Sequence, residues 1–418
     1  MSKITKIKGF ADLFPSESDV MRFMEDSARL VFSKYGYNEI RIPIVEKTEL
    51  FSRSIGLETD VVQKEMYTFS DRKDRSLTLR PEATAGIIRA YLENKVYAQE
   101  QYSKYFTFGP MFRYERPQKG RMRQFHQINA ECVGLAEPHV DAEMVLMLWD
   151  FLSAIGLSDL KLEINSLGCP NCRPAFNKAL TGFLDGVDPD SLCQDCRRRK
   201  DSNPLRVLDC KVPDCARAVS QAPVISDHLC PECKEHFNTV RALIAAAGVE
   251  HVVSPRLVRG LDYYTRTTFE VVSGAIGAQS SVAGGGRYDG LAEQLGGPSI
   301  PSIGFACGME RLALLVQSRN APAPDFFIAV IDPAGLDPAF SLAASLRQAG
   351  LCGQTSFSAS SLKSRMRLAN KCGARVCLIL GGEELASNQI IVKNLGSGEQ
   401  VRVGLGSIDS LVNAVKSI

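Results

Sequence analysis

The sequence predicts an α+β fold: an antiparallel sheet packed with helices, interrupted by an insertion and followed by a small α/β domain. Two aromatic, strand-like stretches, 104–114 and 125–134, flank a polar loop, which is typical of a long antiparallel hairpin. Eight of the 13 cysteines lie between residues 169 and 236, a segment also rich in proline and aspartate. After residue 325, apolar strands alternate with helices, which indicates a small α/β domain with a mostly parallel sheet.

Length and composition agree with several globular domains. The chain has 418 residues, which suggests roughly two or three domains. Hydrophobic residues make up 45% and charged residues 23%, which excludes a disordered or fibrous chain. The formal net charge is only +2, so a nucleic-acid partner would have to be held by local basic patches.

The sequence contains neither an N-terminal apolar signal segment nor a run of ~18 apolar residues. We therefore expect a cytoplasmic protein without a membrane partner, in a compartment where clustered cysteines indicate metal or redox chemistry more often than disulfides.

The individual elements of the first 320 residues follow from spacing and punctuation. Ser16 is predicted to cap a helix that ends near Gly36, and the following strand is closed by Pro43. A helix is predicted over 138–156 and another from Gly308. Further strands are predicted at 160–165, 251–259, 267–273 and 302–306.

The stretch Asn320-Ala-Pro-Ala-Pro324 has the composition of a linker. The elements predicted beyond it are strands at 326–332, 375–380 and 389–395 and helices at 338–349 and 361–372.

The polar hairpin tip carries the first chemical signal. Arg113 stands at the end of one strand, Arg116, Lys119, Arg121 and Arg123 surround the turn, and Phe125 lies on the returning strand. A cation held by a strand can bind a phosphate, and an aromatic ring on the paired strand can stack on a base. The alternative is a basic hairpin that simply faces solvent.

Two further stretches combine charge with rigid neighbours. Leu257-Val-Arg-Gly-Leu-Asp-Tyr-Tyr-Thr-Arg266 places an arginine, an aspartate and two tyrosines beside predicted strands. Pro301-Ser-Ile-Gly-Phe-Ala-Cys-Gly-Met-Glu-Arg311 runs from a strand into a helix that presents Arg311 in its first turn. An internal ion pair and ordinary strand–helix packing are the respective alternatives. No P-loop, G-x-G-x-x-G or G-x-S-x-G motif occurs.

Together these stretches resemble the three motifs of class II aminoacyl-tRNA synthetases: a helix and strand ending at Pro43, the Phe112-Arg-Tyr-Glu115 hairpin, and Gly308-Met-Glu-Arg311. Arg80-Pro-Glu-Ala-Thr84, Arg259-Gly-Leu-Asp-Tyr-Tyr264 and Gly284-Gly-Gly-Arg-Tyr-Asp-Gly290 narrow the resemblance to the histidyl-tRNA synthetase family. The resemblance covers essentially the whole chain.

The resemblance implies a catalytic core in two parts, 1–168 with the first two motifs and 241–320 with the histidine-specific stretch and the third motif. It leaves a cysteine-rich insertion at 169–240 and implies an anticodon-binding domain at 325–418. The implied reaction uses ATP with Mg²⁺ to activate L-histidine, which is then joined to the 3′ end of a histidine-accepting tRNA. The family works as a homodimer.

The resemblance also assigns residues. Arg113 and Arg259 become the catalytic residues, which hold the α-phosphate. The histidine-binding residues become Glu82, Thr84, Arg113, Gln127, Glu131, Arg259, Tyr263 and Tyr264. The ATP-binding residues become Arg113, Arg121, Phe125 and Arg311. The tRNA-binding residues become Arg116 and Gln118 on the hairpin, and Lys363, Arg365 and Arg367 on a basic helix whose alternative is a solvated face.

One residue departs from the family pattern. Ala83 stands where many members have glycine, and a β-carbon there would tighten the site of the substrate's amino group.

The insertion poses a separate metal question. Cys169-x₂-Cys172 with Cys193-x₂-Cys196 fits a paired zinc template, and Cys210-x₄-Cys215 with Cys230-x₂-Cys233 forms a second, looser set. Four thiolates can hold one Zn²⁺, so the eight cysteines predict up to two structural zinc sites, with the pairing open. The alternative is an insertion that folds without metal. The adjacent run Arg197-Arg-Arg-Lys200 suits contact with tRNA or with solvent.

There are two alternative hypotheses for the function. A synthetase-like regulatory subunit would bind histidine without charging tRNA, but such paralogues typically lose the catalytic arginines or the C-terminal domain. A ligase for another amino acid would not need the stretch from Arg259 to Tyr264.

Overall fold

The computed structural model describes residues 3–56, 59–210, 212–276, 281–317 and 323–418. The chain divides into two units, Met1–Ser318 and Arg319–Ile418. Each has its own sheet and its own apolar core. Most of the predicted linker, 320–322, lies outside the described residues.

The first unit contains eleven strands and ten α-helices within these ranges. The strands are β1 (Asn38–Glu39), β2 (Val45–Lys47), β3 (Tyr67–Ser70), β4 (Ser76–Leu79), β5 (Ser103–Phe112), β6 (Gln124–Val133), β7 (Lys161–Ser166), β8 (His251–Val253), β9 (Thr265–Val272), β10 (Ser281–Arg287) and β11 (Ser302–Gly308). The helices are α1 (Pro15–Lys34), α2 (Thr48–Ile55), α3 (Thr84–Glu93), α4 (Pro138–Ala154), α5 (Arg173–Asp185), α6 (Gln194–Ser202), α7 (Pro213–Ala218), α8 (Pro231–Ala246), α9 (Leu291–Gln294) and α10 (Met309–Ala313).

Eight strands form one large sheet in the order β1-β5-β6-β11-β10-β9-β7-β8. The outermost pairs, β1 with β5 and β7 with β8, are parallel, and the five inner pairs are antiparallel. Strands β2, β4 and β3 form a separate antiparallel sheet. The predicted α+β class is therefore confirmed.

The predicted hairpin is formed by β5 and β6, paired from Ser103 opposite Val133 to Phe112 opposite Gln124. Regular pairing ends one residue before Arg113. The Arg113 N–H nevertheless donates to the carbonyl of Arg123 at 2.9 Å, so the backbone at the tip remains tied across the hairpin.

Helices α1, α4 and α8 cover one face of the large sheet with a continuous apolar core. Phe32 on α1 stands edge-on to Phe151 on α4 and to Phe305 on β11, with ring centroids 5.6 and 5.8 Å apart. Each fully buried ring of this kind stabilises the fold by about 1.5–3 kcal/mol. This face of the sheet is therefore fixed, and its other face is left for a ligand.

The cysteine-rich segment is almost entirely helical. Helices α5, α6 and α7 surround a small core of their own, which includes Phe176, Leu180 and Val207. Helix α8 leaves this segment and joins the core of the large sheet through Val240 and Ile244.

The second unit is a five-stranded sheet with helices. Its strands are β12 (Phe326–Val330), β13 (Gly353–Thr355), β14 (Val376–Leu380), β15 (Gln389–Asn394) and β16 (Gln400–Gly404), and its α-helices are α11 (Leu336–Gln348), α12 (Leu362–Lys371), α13 (Gly382–Ala386) and α14 (Ile408–Ser417). The order is β13-β12-β14-β15-β16.

The sheet of the second unit is mixed, whereas the sequence predicted a mostly parallel one. Pairing is parallel from β13 through β12 to β14, and antiparallel from β14 to β16. Only eight residues, 381–388, connect β14 to β15. A connection this short reverses the chain, because a parallel neighbour needs a crossover of a dozen or more residues.

Three smaller predictions were wrong in detail. The first helix begins at Pro15 with Phe14 as its cap, rather than at Ser16, because proline suits the first helical position. The strand predicted up to Pro43 is reduced to Asn38–Glu39. The strand predicted at 251–259 ends at Val253, shortly before Pro255.

Candidate active site

A pocket opens on the face of the large sheet opposite the helical core. Ten of the eleven residues predicted to bind histidine or ATP line it: Glu82, Thr84, Arg113, Arg121, Phe125, Gln127, Arg259, Tyr263, Tyr264 and Arg311. The eleventh, Glu131, is fully buried and accepts a hydrogen bond from the Thr84 hydroxyl at 2.7 Å.

Strand β6 explains much of this convergence. Successive side chains on a strand point to opposite faces. Ile128, Ala130 and Cys132 therefore enter the helical core, whereas Phe125 and Gln127 face the pocket. A single strand thus carries both an aromatic ring and polar groups into the pocket.

Glycines let functional side chains approach the neighbouring strands. A β-carbon on Gly284 of β10 would lie 2.2 Å from the Arg259 guanidinium. A β-carbon on Gly304 of β11 would lie 1.6 Å from a carboxylate oxygen of Glu131. These glycines are required by close approach, which gives a physical reason for the glycine run at 284–286.

Three arginines gather at the hairpin end of the pocket. The Arg113 Nε donates to the carbonyl of Pro81 at 2.9 Å, and its guanidinium carbon lies 5.4 Å from the centroid of the Phe125 ring. Arg121 forms an ion pair with Glu115. Burial and the nearby Arg121 charge lower the pKa of Arg311. This end of the pocket therefore has the positive potential that phosphate oxygens require.

Arg259 reaches the pocket over β10. Its Nη1 donates to Glu270 of β9 at 2.9 Å. Burial opposes the charge of this guanidinium, but the Glu270 carboxylate outweighs burial and raises the pKa of Arg259. Its Nε is buried and has no hydrogen-bond partner among the residues that the structure describes.

Two carboxyl groups lie deep at the other end. Glu82 accepts hydrogen bonds from the N–H groups of Thr84 and Ala85 at 2.6 and 2.9 Å, and burial raises its pKa despite them. Burial also raises the pKa of Glu131 to about 8, against hydrogen bonds from Tyr288 and Thr84. The Glu131 carboxyl is therefore mainly protonated at neutral pH.

Two amide oxygens here have no protein partner. Gln127 Oε1 and Asn129 Oδ1 are buried acceptors without a hydrogen-bond donor within the described ranges, and both residues line the pocket. An unpaired buried acceptor typically costs about 1–3 kcal/mol, so a ligand that donates hydrogen bonds would relieve this cost.

Two tyrosines line the pocket at this end, and a third, Tyr288, packs against them outside the lining. Tyr263 and Tyr264 have ring centroids 4.7 Å apart, and Tyr288 stands edge-on to Tyr263 at 5.5 Å. The Tyr288 hydroxyl donates to Glu131. Packing and hydrogen bonding together fix the shape of this end of the pocket.

The sequence interpretation missed several site residues. Asn129 and Glu115 line the pocket, Tyr288 holds Glu131, and Glu270 holds Arg259. Alternation along β6 would have placed Asn129 beside Gln127. Strand pairing was needed for Glu270, because it is eleven residues from Arg259 on another element.

Ala83 does not line this pocket. It is fully buried in an apolar cluster with Ile42, Ile87 and Met111. Its β-carbon therefore packs away from the ligand, and the predicted tightening of the amino-group site does not follow.

The eight cysteines of the helical segment form two clusters, which settle the grouping that the sequence left open. One contains Cys169, Cys172, Cys230 and Cys233, and the other contains Cys193, Cys196, Cys210 and Cys215. In each, the four sulfur atoms lie within 4.8 Å of one another, so each could hold a metal ion. None of the 13 cysteines forms a disulfide.

One thiol of each cluster is poised for ionisation. Although burial opposes it, hydrogen bonds from backbone groups lower the pKa of Cys169 to about 7, and the same balance lowers the pKa of Cys193.

The predicted tRNA-binding residues occupy different environments. Arg116 and Gln118 are exposed at the hairpin tip, and Lys363 and Arg367 are exposed on α12. Arg365 is only 7% exposed and donates to the carbonyl and hydroxyl of Ser358 at 2.5 and 2.8 Å. Its guanidinium is committed within the unit, so the structure does not present it for tRNA contact.

An antiparallel sheet whose pocket gathers arginines and an aromatic ring at a hairpin, in a sequence without a P-loop motif, is typical of class II aminoacyl-tRNA synthetases. The chain belongs to the histidyl-tRNA synthetase family. Residues 9–181 and 194–312 match the family model described as "Histidyl-tRNA synthetase", and residues 325–418 match that described as "Anticodon binding domain".

Known proteins agree with this family over nearly the full length. The chain is 63% identical over 408 residues to a histidine–tRNA ligase of Nitratidesulfovibrio vulgaris, covering 98% of both chains. It is 61% identical to that of Oleidesulfovibrio alaskensis, covering 99% of this chain and 100% of the relative. The crystal structure of apo S. aureus histidyl-tRNA synthetase is 36% identical, with a TM-score of 0.82 over 99% of this chain and 100% of that chain.

None of the helices in the described part of the chain is both long and apolar enough to cross a membrane.

Proposed function

We propose that this chain activates L-histidine with ATP to histidyl-adenylate and then transfers the histidine to the 3′ end of its tRNA. Membership of the family carries the overall reaction, a ligase reaction that joins histidine to tRNA. The observation that carries the residue-level proposal is the convergence of ten predicted ligand-binding residues on one pocket.

In the first step, an oxygen of the histidine carboxylate attacks the α-phosphorus of ATP. A new oxygen–phosphorus bond forms, the bond to the β-phosphate oxygen breaks, and pyrophosphate leaves. In the second step, a ribose hydroxyl of the tRNA attacks the activated carbonyl carbon and AMP leaves. No covalent bond to the protein is needed, so the protein contributes positioning and charge neutralisation.

Arg113 and Arg259 are the proposed catalytic residues. Arg113 comes from the end of β5, and Arg259 lies over β10, with β6 and β11 between these two strands. The two cations can therefore bind the α-phosphate from opposite sides. Both are anchored, Arg113 by the Pro81 carbonyl and Arg259 by Glu270, so little reorganisation is required as charge develops.

The remaining phosphates of ATP would lie at the hairpin end of the pocket. Arg121 and Arg311 would bind the γ-phosphate, and Phe125 would stack on adenine. When bound, Mg²⁺ would arrive with ATP and neutralise phosphate charge. Carboxylate oxygens are the ligands it prefers, and Glu115 and Glu310 line this end.

The buried end would recognise histidine. Glu82, Thr84 and Gln127 would bind the α-amino group, for which the unpaired Gln127 oxygen and the neighbouring Asn129 oxygen are available acceptors. Glu131 and Tyr264 would face the imidazole nitrogens, with Tyr263 alongside. Such a site rejects substrates that lack the partner nitrogens by up to about 10⁴–10⁵-fold, so no editing domain is needed.

The catalytic core of the proposal comprises 1–168 and 241–320, with the insertion at 169–240, and 325–418 would bind the anticodon arm. Arg116 and Gln118 at the hairpin, and Lys363 and Arg367 on α12, are the exposed candidates for tRNA contact. The work would take place in the cytoplasm, where thiols stay reduced.

A homodimer is the proposed assembly. Ile44, Val45 and Phe69 are 41%, 40% and 45% exposed near the first motif, on the side of the small three-stranded sheet. Exposed apolar groups of this kind favour association. Light scattering on the purified chain would measure the assembly state.

ATP–pyrophosphate exchange with each amino acid, followed by charging of tRNA, tests the function. We expect exchange with histidine alone and subsequent charging. Exchange with a different amino acid would show that histidine is not the substrate. Histidine binding without exchange or charging would instead indicate a regulatory subunit.

A further inference from the structure

The sulfur positions in the two cysteine clusters match a metal site more closely than a disulfide. The Sγ of Cys169 lies 3.6 Å from that of Cys172 and 3.9 Å from that of Cys230. In the other cluster, the Sγ atoms of Cys193 and Cys210 are 3.9 Å apart. Zinc bound tetrahedrally at about 2.3 Å from each sulfur sets neighbouring sulfur atoms about 3.8 Å apart. A disulfide would require about 2.05 Å.

The surrounding backbone is arranged as in a ligand shell. Cys172, Cys193 and Cys230 each stand at the N-terminal cap of a helix, where the helix dipole favours a thiolate. The Cys230 N–H donates to the Cys172 sulfur at 3.2 Å, and the Cys193 N–H donates to the Cys215 sulfur at 3.0 Å. Hydrogen bonds of this kind orient metal ligands.

The two ligand sets are nested. Cys169 and Cys172 lead into the insertion and Cys230 and Cys233 lead out of it, so the outer cluster (Cys169, Cys172, Cys230 and Cys233) closes its base. The inner cluster (Cys193, Cys196, Cys210 and Cys215) ties together the chain between these two ends. Without metal ions, the eight cysteines would stay reduced, and the small helical core would have to hold this segment together.

Arg173 gives a second indication at the outer cluster. It follows Cys172 directly, its Nε is buried without a hydrogen-bond partner, and no carboxylate in the described ranges pairs with it. Four thiolates around one Zn²⁺ carry a net charge of −2, which would add to the negative charge of Asp262 in stabilising the Arg173 guanidinium.

Both clusters are adjacent to side chains that hold the loop 259–264. Arg173 donates to the backbone carbonyl of Tyr264. Between the inner-cluster residues Cys196 and Cys210, Asn203 donates to Asp262 at 3.0 Å, and Arg206 donates to Asp262 at 3.3 Å and to the carbonyl of Gly260. The loop that carries Arg259, Tyr263 and Tyr264 is thus held from both of its ends by the insertion.

We propose that the insertion binds two structural Zn²⁺ ions, one in each cluster, and that these ions position Arg173, Asn203 and Arg206 so that the loop 259–264 is held in its histidine-binding conformation. All four positions around each ion are filled by cysteine, so neither ion takes part in the chemistry. The effect on histidine rests on the proposed function, whereas the metal content does not.

Metal analysis of paired variants tests the ligand sets in the full-length chain. Wild type should contain about two Zn²⁺ per chain, as should Cys352→Ser, whose thiol is exposed and outside both clusters. Cys172→Ser/Cys233→Ser should retain about one ion, and Cys172→Ser/Cys196→Ser should retain none. Pairing in sequence order would give the reverse, and it would overturn the proposed sets.

A reconstitution experiment controls for metal that is lost during purification. After anaerobic incubation with Co²⁺ alone, wild type should show the thiolate-to-cobalt charge-transfer band at twice the intensity of Cys172→Ser/Cys233→Ser. Absence of both bound Zn²⁺ and this band in folded wild type would eliminate the sites.

The positioning role is tested by a variant that keeps both ions. Arg206→Met should retain two Zn²⁺ and raise the KM for histidine about tenfold, while the KM for ATP changes little, because a charged hydrogen bond to the loop is lost. Cys172→Ser/Cys233→Ser should shift the KM for histidine in the same direction. Unchanged KM values for histidine in both would refute the positioning role. Two bound ions without any histidine-dependent exchange in wild type would refute the proposed function instead.

Discussion

The two ends of the pocket use opposite electrostatics. At the hairpin end, Arg113, Arg121 and Arg311 bring three guanidinium groups close to one another. At the buried end, Glu131 is shielded so fully that its pKa rises to about 8, and its partners are hydroxyl groups rather than cations. The difference suits the two tasks of the proposed reaction, because fixed positive charge stabilises phosphate oxygens, whereas buried hydrogen-bonding groups distinguish one amino acid from another.

The largest effect should come from Arg259, which connects the two ends. Replacing it with Met should lower the rate of ATP–pyrophosphate exchange about 10²–10³-fold, because one fixed donor to the α-phosphate is removed. Arg22→Met is a suitable control, since the Arg22 side chain is 65% exposed on α1. Both proteins should show intact folding by circular dichroism. A near-normal exchange rate for Arg259→Met would remove Arg259 from the catalytic residues.

The next effect should separate ATP from histidine. Phe125→Leu should raise the KM for ATP about tenfold, because stacking on a base contributes about 1–3 kcal/mol, and should leave the KM for histidine within about twofold. Phe357→Leu, at an aromatic side chain that is 84% exposed in the second unit, is the control. Equal increases in both KM values would show that the ring supports the whole pocket instead of adenine.

A smaller effect, on the KM for tRNA, is expected from substitutions in the second unit. Lys363→Gln/Arg367→Gln should raise the KM for tRNA about fivefold and weaken its dependence on salt, while leaving ATP–pyrophosphate exchange intact. Lys416→Gln, also exposed, is the matched control. Arg365→Gln should instead lower the melting temperature of the chain, because its contacts with Ser358 lie inside the unit. Loss of exchange in the double variant would contradict a role confined to tRNA.

A final effect, on stability instead of kinetics, concerns the protonation of Glu131. Its folded-state pKa is raised from 4.5 to about 8, so the protonated group contributes stability that is complete below about pH 4.5 and is lost as the pH rises through about 8. Glu131→Gln lacks this titration. Across that window, the unfolding free energy of wild type should fall relative to the variant by up to about 1.4 kcal/mol per pH unit. Urea unfolding of both proteins at pH 6, 7, 8 and 9 measures the difference, and parallel pH profiles would contradict the raised pKa.

Local sequence patterns predicted the elements that line the pocket more accurately than the residues that hold those elements in place. The hairpin, the tip arginines and Phe125 could be read directly, because strand alternation and turn residues act over a few positions. Arg365 was misread, since helical spacing alone does not reveal that its guanidinium folds back to Ser358. Ala83 was misread for the same reason, because its orientation depends on packing against Ile42 and Met111.

The cysteines show the same limit of prediction from local sequence. Spacing identified eight candidate ligands and left their pairing open. The structure decides the pairing, because α5 and α8 bring the first and last cysteine pairs of the insertion together. Only chain closure in three dimensions could join Cys169 to Cys230.

The sequence by itself determined the family, the helix and strand types, and the chemical character of the pocket residues, because these depend on local spacing and residue identity. The tertiary structure alone decided that Glu270 holds Arg259, that Tyr288 holds Glu131, and that the cysteines form nested clusters. Those arrangements join residues on different elements, and their energies come from burial and close approach, which exist only once the sheet and the insertion are assembled.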